Sequence, residues 1–222
     1  MDIKEAIGCL NFFSSLSCNK VEDLFSISLL KNYSANALLH YEKSKSGRLL
    51  FLVDGLAKAY KLDKYDNEIF LYHIHGNNLI SEISSLQEDE LISYSNILFL
   101  EDSTVLAIEN RAFKEKFLDK GLLCLELASE VIRQSTLLQD LVNREFIFDS
   151  VAKVAMMIDL ELKIFNRLKR YDVSSMLHIQ PSTLSRVLSR LKHKGIIDIE
   201  RGEIMVVKRD ELQKIYRGLI DE

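Results

Sequence analysis

The side chains best placed to do chemistry in this sequence are cations, and they crowd into one short stretch. Residues 179–197 read IQPSTLSRVLSRLKHKGII. Arg186, Arg190, Lys192 and Lys194 lie among leucines at helical spacing, behind the chain's single proline, Pro181. Proline is favoured at the first position of a helix, where its missing N–H would be unpaired anyway. Leu184, Val187, Leu188 and Leu191 share one face of this predicted helix, and Ser185, Arg186, Ser189 and Arg190 share the other. Lys192, His193 and Lys194 complement the dipole at its end, and Gly195 stops it. Guanidinium groups in such a row bind anions and base edges. A bidentate pair with guanine O6 and N7 is worth about 1–3 kcal/mol of discrimination. Arg186, one turn into the helix, is the candidate base reader. Ser182, Thr183 and Ser185 are small enough for close approach and can bond bases or phosphates. Arg190, Lys192, Lys194 and Arg201 are candidate phosphate ligands.

Other chemistries lack their residues. There is no Ser/His/Asp set, no glycine-rich phosphate loop and no paired-carboxylate signature. The five histidines, His40, His73, His75, His178 and His193, are scattered over different elements, so catalysis is not expected. Cys9, Cys18 and Cys124 form neither a CxxC pair nor a Cys/His cluster of zinc spacing. Three scattered thiols also argue against an iron–sulfur cluster, which usually takes four ligands. They are expected to be buried or semi-exposed free thiols.

The elements around the basic stretch make it part of a larger motif. Asp172–Leu177 is a short helix with Val173, Met176 and Leu177 apolar, and His178-Ile179-Gln180 is the turn that follows it. After Gly195 come two β-rich runs, IIDIE and EIMVV, around Arg201-Gly202, where glycine suits the positive φ of a tight hairpin. A helix-turn-helix with a β-hairpin wing is predicted. Its second helix would enter the DNA major groove. Upstream, VAKVAMMIDLELKIF forms a helix burying Val151, Val154, Ala155 and Ile158.

Gly121 to Phe146 contains no internal glycine or proline, and Cys124, Leu127, Val131, Gln134, Leu138 and Leu141 alternate by three and four. This heptad seam predicts a coiled coil between two copies, hence a parallel homodimer on a palindromic operator, with half-sites about one helical turn apart. The other reading of the stripe is a helix lying on its own domain's core. Before Gly121 the period changes. RLLFLVDG, LAKAYKLDKYDNE, IFLYHIHGNN, NILFLEDS and TVLAIEN are short apolar runs, punctuated by turns at Asp54-Gly55, Asp66-Asn67 and 75–78. They predict a compact antiparallel sandwich or barrel over about 37–110. Residues 2–31 read as helix in pieces, with one run from an Asn19 cap through Val21, Leu24, Phe25, Ile27 and Ser28 to Asn32.

Charge divides along the chain. Residues 150–222 carry 14 Lys and Arg against 10 Asp and Glu, +4, and the remaining 15 against 23 leave residues 1–149 at −8. An anionic partner is expected at the back. No apolar run approaches the roughly 18–20 residues of a membrane span. The N-terminus has no basic region leading into a clean apolar core, so a cytoplasmic protein with no membrane partner is expected.

Together these segments resemble the CRP/FNR family of bacterial transcription regulators over about residues 10–215. The most specific segment is SSMLHIQPSTLSRVLSRLKHKGII. The resemblance implies an α+β fold: a cyclic-nucleotide-binding-like β-roll (1–120), a dimerisation helix (121–146) and a winged helix-turn-helix DNA-binding domain (147–222). Members of the FNR branch carry Glu-x-x-Ser-Arg in the recognition helix. Here Ser182 replaces the glutamate, and Ser185-Arg186 are kept. Nucleotide-binding members carry Gly-Glu and, about ten residues on, Arg-Ser. Here Ser81-Glu82 and Ser93-Tyr94 stand in those places, so the arginine that pairs the cyclic phosphate is gone, which argues against cAMP. The effector pocket implied by the resemblance comprises Glu82, Ser93, Tyr94 and Gln134. The polar Gln134-Ser135 pair on the seam is read more simply as a register device.

Some relatives bind haem and respond to NO or CO. His73 and His75, at i and i+2 of a strand, are the candidate haem ligands here, and two partly exposed, turn-adjacent histidines without a ligand role are the other reading. A redox thiol at Cys9 or Cys18 is a further sensor candidate. The expected function is a sequence-specific homodimeric transcription regulator, activator or repressor, responding to an effector other than cAMP. Activation would add RNA polymerase as a partner. The rival is a haem- or small-molecule-binding protein whose DNA function has decayed.

Overall fold

The computed structural model describes residues 1–217, so the last five residues of the expected DNA-binding domain lie outside the described residues. The chain forms two compact units, Met1–Leu138 and Gln139 onward.

The first unit opens with α1 (Ile3–Cys9), a 3₁₀ turn (Asn11–Phe13) and α2 (Cys18–Phe25). Ten strands follow: β1 (Ser28–Tyr33), β2 (Leu38–His40), β3 (Lys45–Ser46), β4 (Arg48–Asp54), β5 (Leu56–Leu62), β6 (Glu68–His75), β7 (Asn78–Leu79), β8 (Leu91–Ile92), β9 (Asn96–Phe99) and β10 (Ser103–Glu109). They make two four-stranded antiparallel sheets, ordered β1-β10-β4-β7 and β2-β9-β5-β6, with β3 and β8 as a short pair. The expected antiparallel sandwich is therefore present. One segment is corrected. The helix expected from Asn19 to Asn32 starts two residues earlier, behind Ser17, and ends at Phe25. Ser28–Tyr33 is instead an edge strand in register with Ile108–Ser103 of β10, and ladder hydrogen bonds there outweigh the helical spacing of the side chains.

The apolar runs of β4 and β10 are nearly continuous because their sheet is covered on both faces. On one side Leu52 and Val105 meet Ala57, Ala59, Ile97 and Phe99 of the second sheet. On the other, Phe51, Leu106 and Ile108 pack with Phe12, Phe13 and Phe113 from the helices, the Phe12 and Phe51 rings being 4.9 Å apart. Gly55 joins β4 to β5 at φ +110°, and a Cβ there would lie 2.2 Å from Ser103 Oγ, so only glycine fits. After β10, α3 (Asn110–Lys116) and a short 3₁₀ turn lead to α4 (Cys124–Val142). A π-helical turn, Asn143–Ile147, follows α4. No helix among the described residues is long and apolar enough to cross a membrane.

The second unit contains α5 (Ser150–Arg167), α6 (Arg170–Met176), α7 (Pro181–His193), β11 (Ile197–Glu200), β12 (Glu203–Val206) and α8 (Arg209–Arg217). Asp149 caps α5, accepting from the Val151 and Ala152 N–H groups at 2.9 and 2.8 Å, a contribution of about 1 kcal/mol. Val154, Ala155 and Ile158 are buried as expected, whereas Val151 is only partly so. They pack with Leu184, Leu188 and Leu191 of α7 and Leu212 of α8.

Asp159, with only 1% of its side chain exposed, ties α5 to α8. It accepts from Tyr216 OH at 2.6 Å, Arg209 Nε at 2.7 Å and Gln213 Nε2 at 2.9 Å. Burial opposes its ionisation, but these hydrogen bonds outweigh that effect and hold its carboxyl below the ordinary value. Burial, and then the hydrogen bond to Asp159 and its charge, push the Tyr216 hydroxyl up to about 12, so it stays a donor. Replacing Asp159 by alanine strands the buried Tyr216 hydroxyl and should destabilise this unit by about 2–3 kcal/mol in urea denaturation. A depressed pKa stabilises the fold above the unfolded carboxylate pKa. The contribution of Asp159 is therefore complete at neutral pH and lost as pH falls below about 4. The D159A variant should accordingly show a weaker loss of stability on acidification than the parent.

Candidate nucleic-acid interface and effector pocket

The helix that carries the basic row is α7, and its two faces divide as the apolar period dictates. Leu184, Val187, Leu188 and Leu191 are buried, while Ser182, Ser185, Arg186, Ser189 and Arg190 are exposed and Thr183 is half-buried. Pro181 occupies the first turn. The preceding turn is made by His178 at φ 52°, whose Nδ1 pairs with Glu145 at 2.8 Å. Glu145 also takes Arg144 Nε at 3.0 Å and lies 3.8 Å from Lys153 Nζ. Burial works against the Glu145 charge, yet His178 and Arg144 hold its carboxyl below the usual range. The turn between α6 and α7 is thereby fixed to the segment that follows α4.

Arg186 is exposed, and its Nη2 donates to Thr183 Oγ1 at 3.2 Å. The two residues, taken from the sequence as independent contacts, thus meet one turn apart on the same edge of α7. Arg190 and Lys194 are exposed with no ion-pair partner among the described residues. Lys192 is exposed but engaged, 2.9 Å from Asp198 Oδ1 and donating to Ile199 O at 3.3 Å.

The wing is the β11–β12 hairpin, in register from Ile197↔Val206 to Glu200↔Glu203. Its two-residue loop, Arg201-Gly202, has φ 51° and 90°, both positive as a type I′ turn requires. Arg201 is exposed at the tip. Two residues that sequence reading passed over hold this hairpin. Asn166 donates to Ile204 O and accepts from Ile204 N–H, both at 2.9 Å. Arg170 donates to Gly202 O at 2.7 Å, with its guanidinium 4.7 Å from the centre of the Phe165 ring. An exposed-looking Asn and Arg in a helical stretch carry no pattern that marks such pairings.

Residues 152–215 match the family model described as the Crp-like helix-turn-helix domain. The chain carries a Crp-like helix-turn-helix domain. Solved structures extend the fold likeness beyond that domain. FixK2 from Bradyrhizobium japonicum is 15% identical, with a TM-score of 0.63 over 85% of this chain and 97% of that one. A CooA mutant from Carboxydothermus hydrogenoformans is 16% identical, TM-score 0.67, over 86% and 88%. CLP from Xanthomonas campestris, described as a c-di-GMP-responsive global regulator, is 12% identical, TM-score 0.61, over 86% and 99%. No curated protein sequence matches the chain. The fold is that of the CRP/FNR regulators, as the sequence resemblance implied.

The four residues expected to form an effector pocket are engaged with one another and their neighbours. Glu82 accepts from the Tyr94 N–H, from Ser95 Oγ at 3.1 Å and from Tyr72 OH at 3.3 Å. Ser93 is held by backbone bonds to Lys43 and Ser44. Gln134 Nε2 donates to Ser81 O at 2.9 Å. Burial, and then the Glu82 charge, raise the Tyr72 hydroxyl far above its ordinary pKa.

The expected seam on α4 is split. Leu127 is buried in its own unit's core and Gln134 is bonded to Ser81, so neither lies on an outer stripe, and Leu141 is half-buried. Cys124, Val131 and Leu138 remain exposed, joined by Ala128, Ser135 and Val142 in an exposed ladder that again alternates by four and three. Its first turns line a groove of about 760 Å³ with Ile83, Leu86 and Leu118.

His73 is buried on the Phe70 ring, 4.6 Å between centroids, while His75 is exposed 6.3 Å away. The two imidazoles expected as a haem pair thus differ in exposure, and one of them packs on an aromatic ring. All three cysteines are exposed free thiols, not the buried or semi-exposed ones expected. Among the described residues no three His, Cys, Asp or Glu side chains gather as a metal site.

Proposed function

We propose that this chain is a cytoplasmic, non-catalytic transcription regulator of the CRP/FNR type that binds palindromic DNA as a homodimer. The observation that carries the reading is the face of α7. A row of hydroxyls and guanidiniums, Ser182, Ser185, Arg186 and Arg190, stands exposed on a helix whose other face is locked into the core, beside a wing with Arg201 at its tip. Arg186, steadied by Thr183, reads a base edge. Arg190, Lys194 and Arg201 neutralise phosphates, while Lys192 mainly braces the wing. The exposed α4 ladder supports pairing of two copies along segment 121–146. Sensing belongs to the β-roll, 1–120, and its effector is other than cAMP, since Ser93-Tyr94 supply no guanidinium for a cyclic phosphate and Glu82 would repel one. Repression needs only DNA affinity, and activation would add contact with RNA polymerase.

Selection from random duplexes, followed by fluorescence anisotropy across a salt series, tests this reading. Enrichment of a two-fold-symmetric sequence is expected. If the dimer neutralises about six phosphates, the log affinity should fall with log salt with a slope of about −5. Failure to enrich any sequence, with no salt dependence, would remove the proposal.

A further inference from the structure

We infer that Glu82 is the β-roll's own ligand: its carboxylate fills a carboxylate-accepting site formed by Tyr72, Tyr94 and Ser95, and so latches the segment 79–82 against α4. The donors come from two places in the chain, β6 and the turn before β9. They meet both oxygens: Oε1 takes the Tyr72 and Ser95 hydroxyls, and Oε2 takes the Tyr94 N–H. Three donors converging on both oxygens of a group are a recognition set for a carboxylate. Ser95 is fully buried. The Tyr94 N–H lies at an exposed edge, so a small solute could reach the site if Glu82 were absent.

The occupied segment is fastened from two further elements. Leu50 N–H donates to Ser81 Oγ at 2.9 Å, from β4. From α4, Gln134 donates to Ser81 O at 2.9 Å and Arg133 Nη2 to Leu79 O at 3.2 Å, with Arg133 itself held by Glu130 at 2.9 Å. Glu82 thus sits at the end of a segment whose carbonyls are gripped by the helix. With the site filled internally, the grip on α4 needs no external anion. The inference concerns the first unit alone and stands whether or not the chain binds DNA.

Chemical rescue tests it. The full-length Glu82→Ala variant should melt several degrees lower than the parent. Sodium acetate or propionate should recover most of that loss saturably, while sodium chloride at equal ionic strength should not, and the parent should show no carboxylate-specific gain. A variant that melts like the parent, or that responds equally to acetate and chloride, overturns the inference. Should E82A not fold, E82Q decides by hydrogen exchange. Faster exchange is expected at the Tyr94 amide and also in α4 around Arg133 and Gln134. Acceleration confined to Tyr94, or none at all, would show that Glu82 does not latch the segment to α4.

Discussion

Replacing Arg186 by alanine is expected to abolish sequence preference while leaving non-specific DNA affinity nearly intact. Each bidentate contact between a guanidinium and guanine contributes about 1–3 kcal/mol of discrimination, and a homodimer makes the contact twice. The selected site should therefore weaken by at least about thirtyfold relative to random DNA. The Arg190→Ala variant should behave differently, losing affinity for both DNAs alike and flattening the salt dependence, because phosphate contacts carry no sequence information. Competition binding against a scrambled duplex separates the two. Thr183→Val offers a finer reading. Thr183 Oγ1 is 3.2 Å from Arg186 Nη2, so its loss should reduce discrimination partly, through a guanidinium left free to sample other rotamers. Equal loss on cognate and scrambled DNA in R186A would mean that Arg186 contacts phosphate and that the base reader lies elsewhere.

The second large effect is expected on α4. Leu138 is half-exposed and lies on the exposed ladder, so a lysine there should leave the monomer folded. In a paired seam it would place two cations face to face in an apolar layer. Sedimentation should then show a monomer, and DNA binding should fall to the non-specific range, roughly 10⁻⁴–10⁻⁶ M at physiological salt. Lysine at Gln134 offers the contrast. It breaks the bond to Ser81 O inside one chain, so it should lower the stability of the first unit more than it changes the oligomeric state. An L138K variant that stays dimeric would place the association surface off this ladder.

Where the chain could be read from its residues alone, a local period and its punctuation agreed. In α7 the proline, the leucine spacing and Gly195 all point one way, and the helix spans Pro181–His193. The wing was legible because a two-residue loop ending in glycine admits few conformations. β1 was misread because Ile27 and Ser28 prolong the helical spacing of α2, and only the remote partner β10 supplies the ladder that converts the segment to strand. The α4 stripe was read as one seam because apolar residues at 127 and 131 look alike in sequence. Leu127 serves its own core and Val131 does not, a division set by the sheets beneath and invisible to a heptad count. The bonds of Glu82 escaped for a similar reason: its partners lie 10 to 13 residues away in the chain and include a backbone N–H that any residue type could offer.

The pinned wing has a mechanical consequence for the DNA. Asn166 of α5 grips Ile204 with a reciprocal pair of hydrogen bonds and Arg170 of α6 grips Gly202, so the hairpin is held to the helices against which α7 packs. A loose wing would follow the contour of any duplex. In the proposed DNA complex a fixed one would act as a caliper, and the duplex would bend or narrow to touch both jaws. Base pairs under the wing that no side chain reads would then matter through their stiffness, with flexible pyrimidine–purine steps yielding most readily.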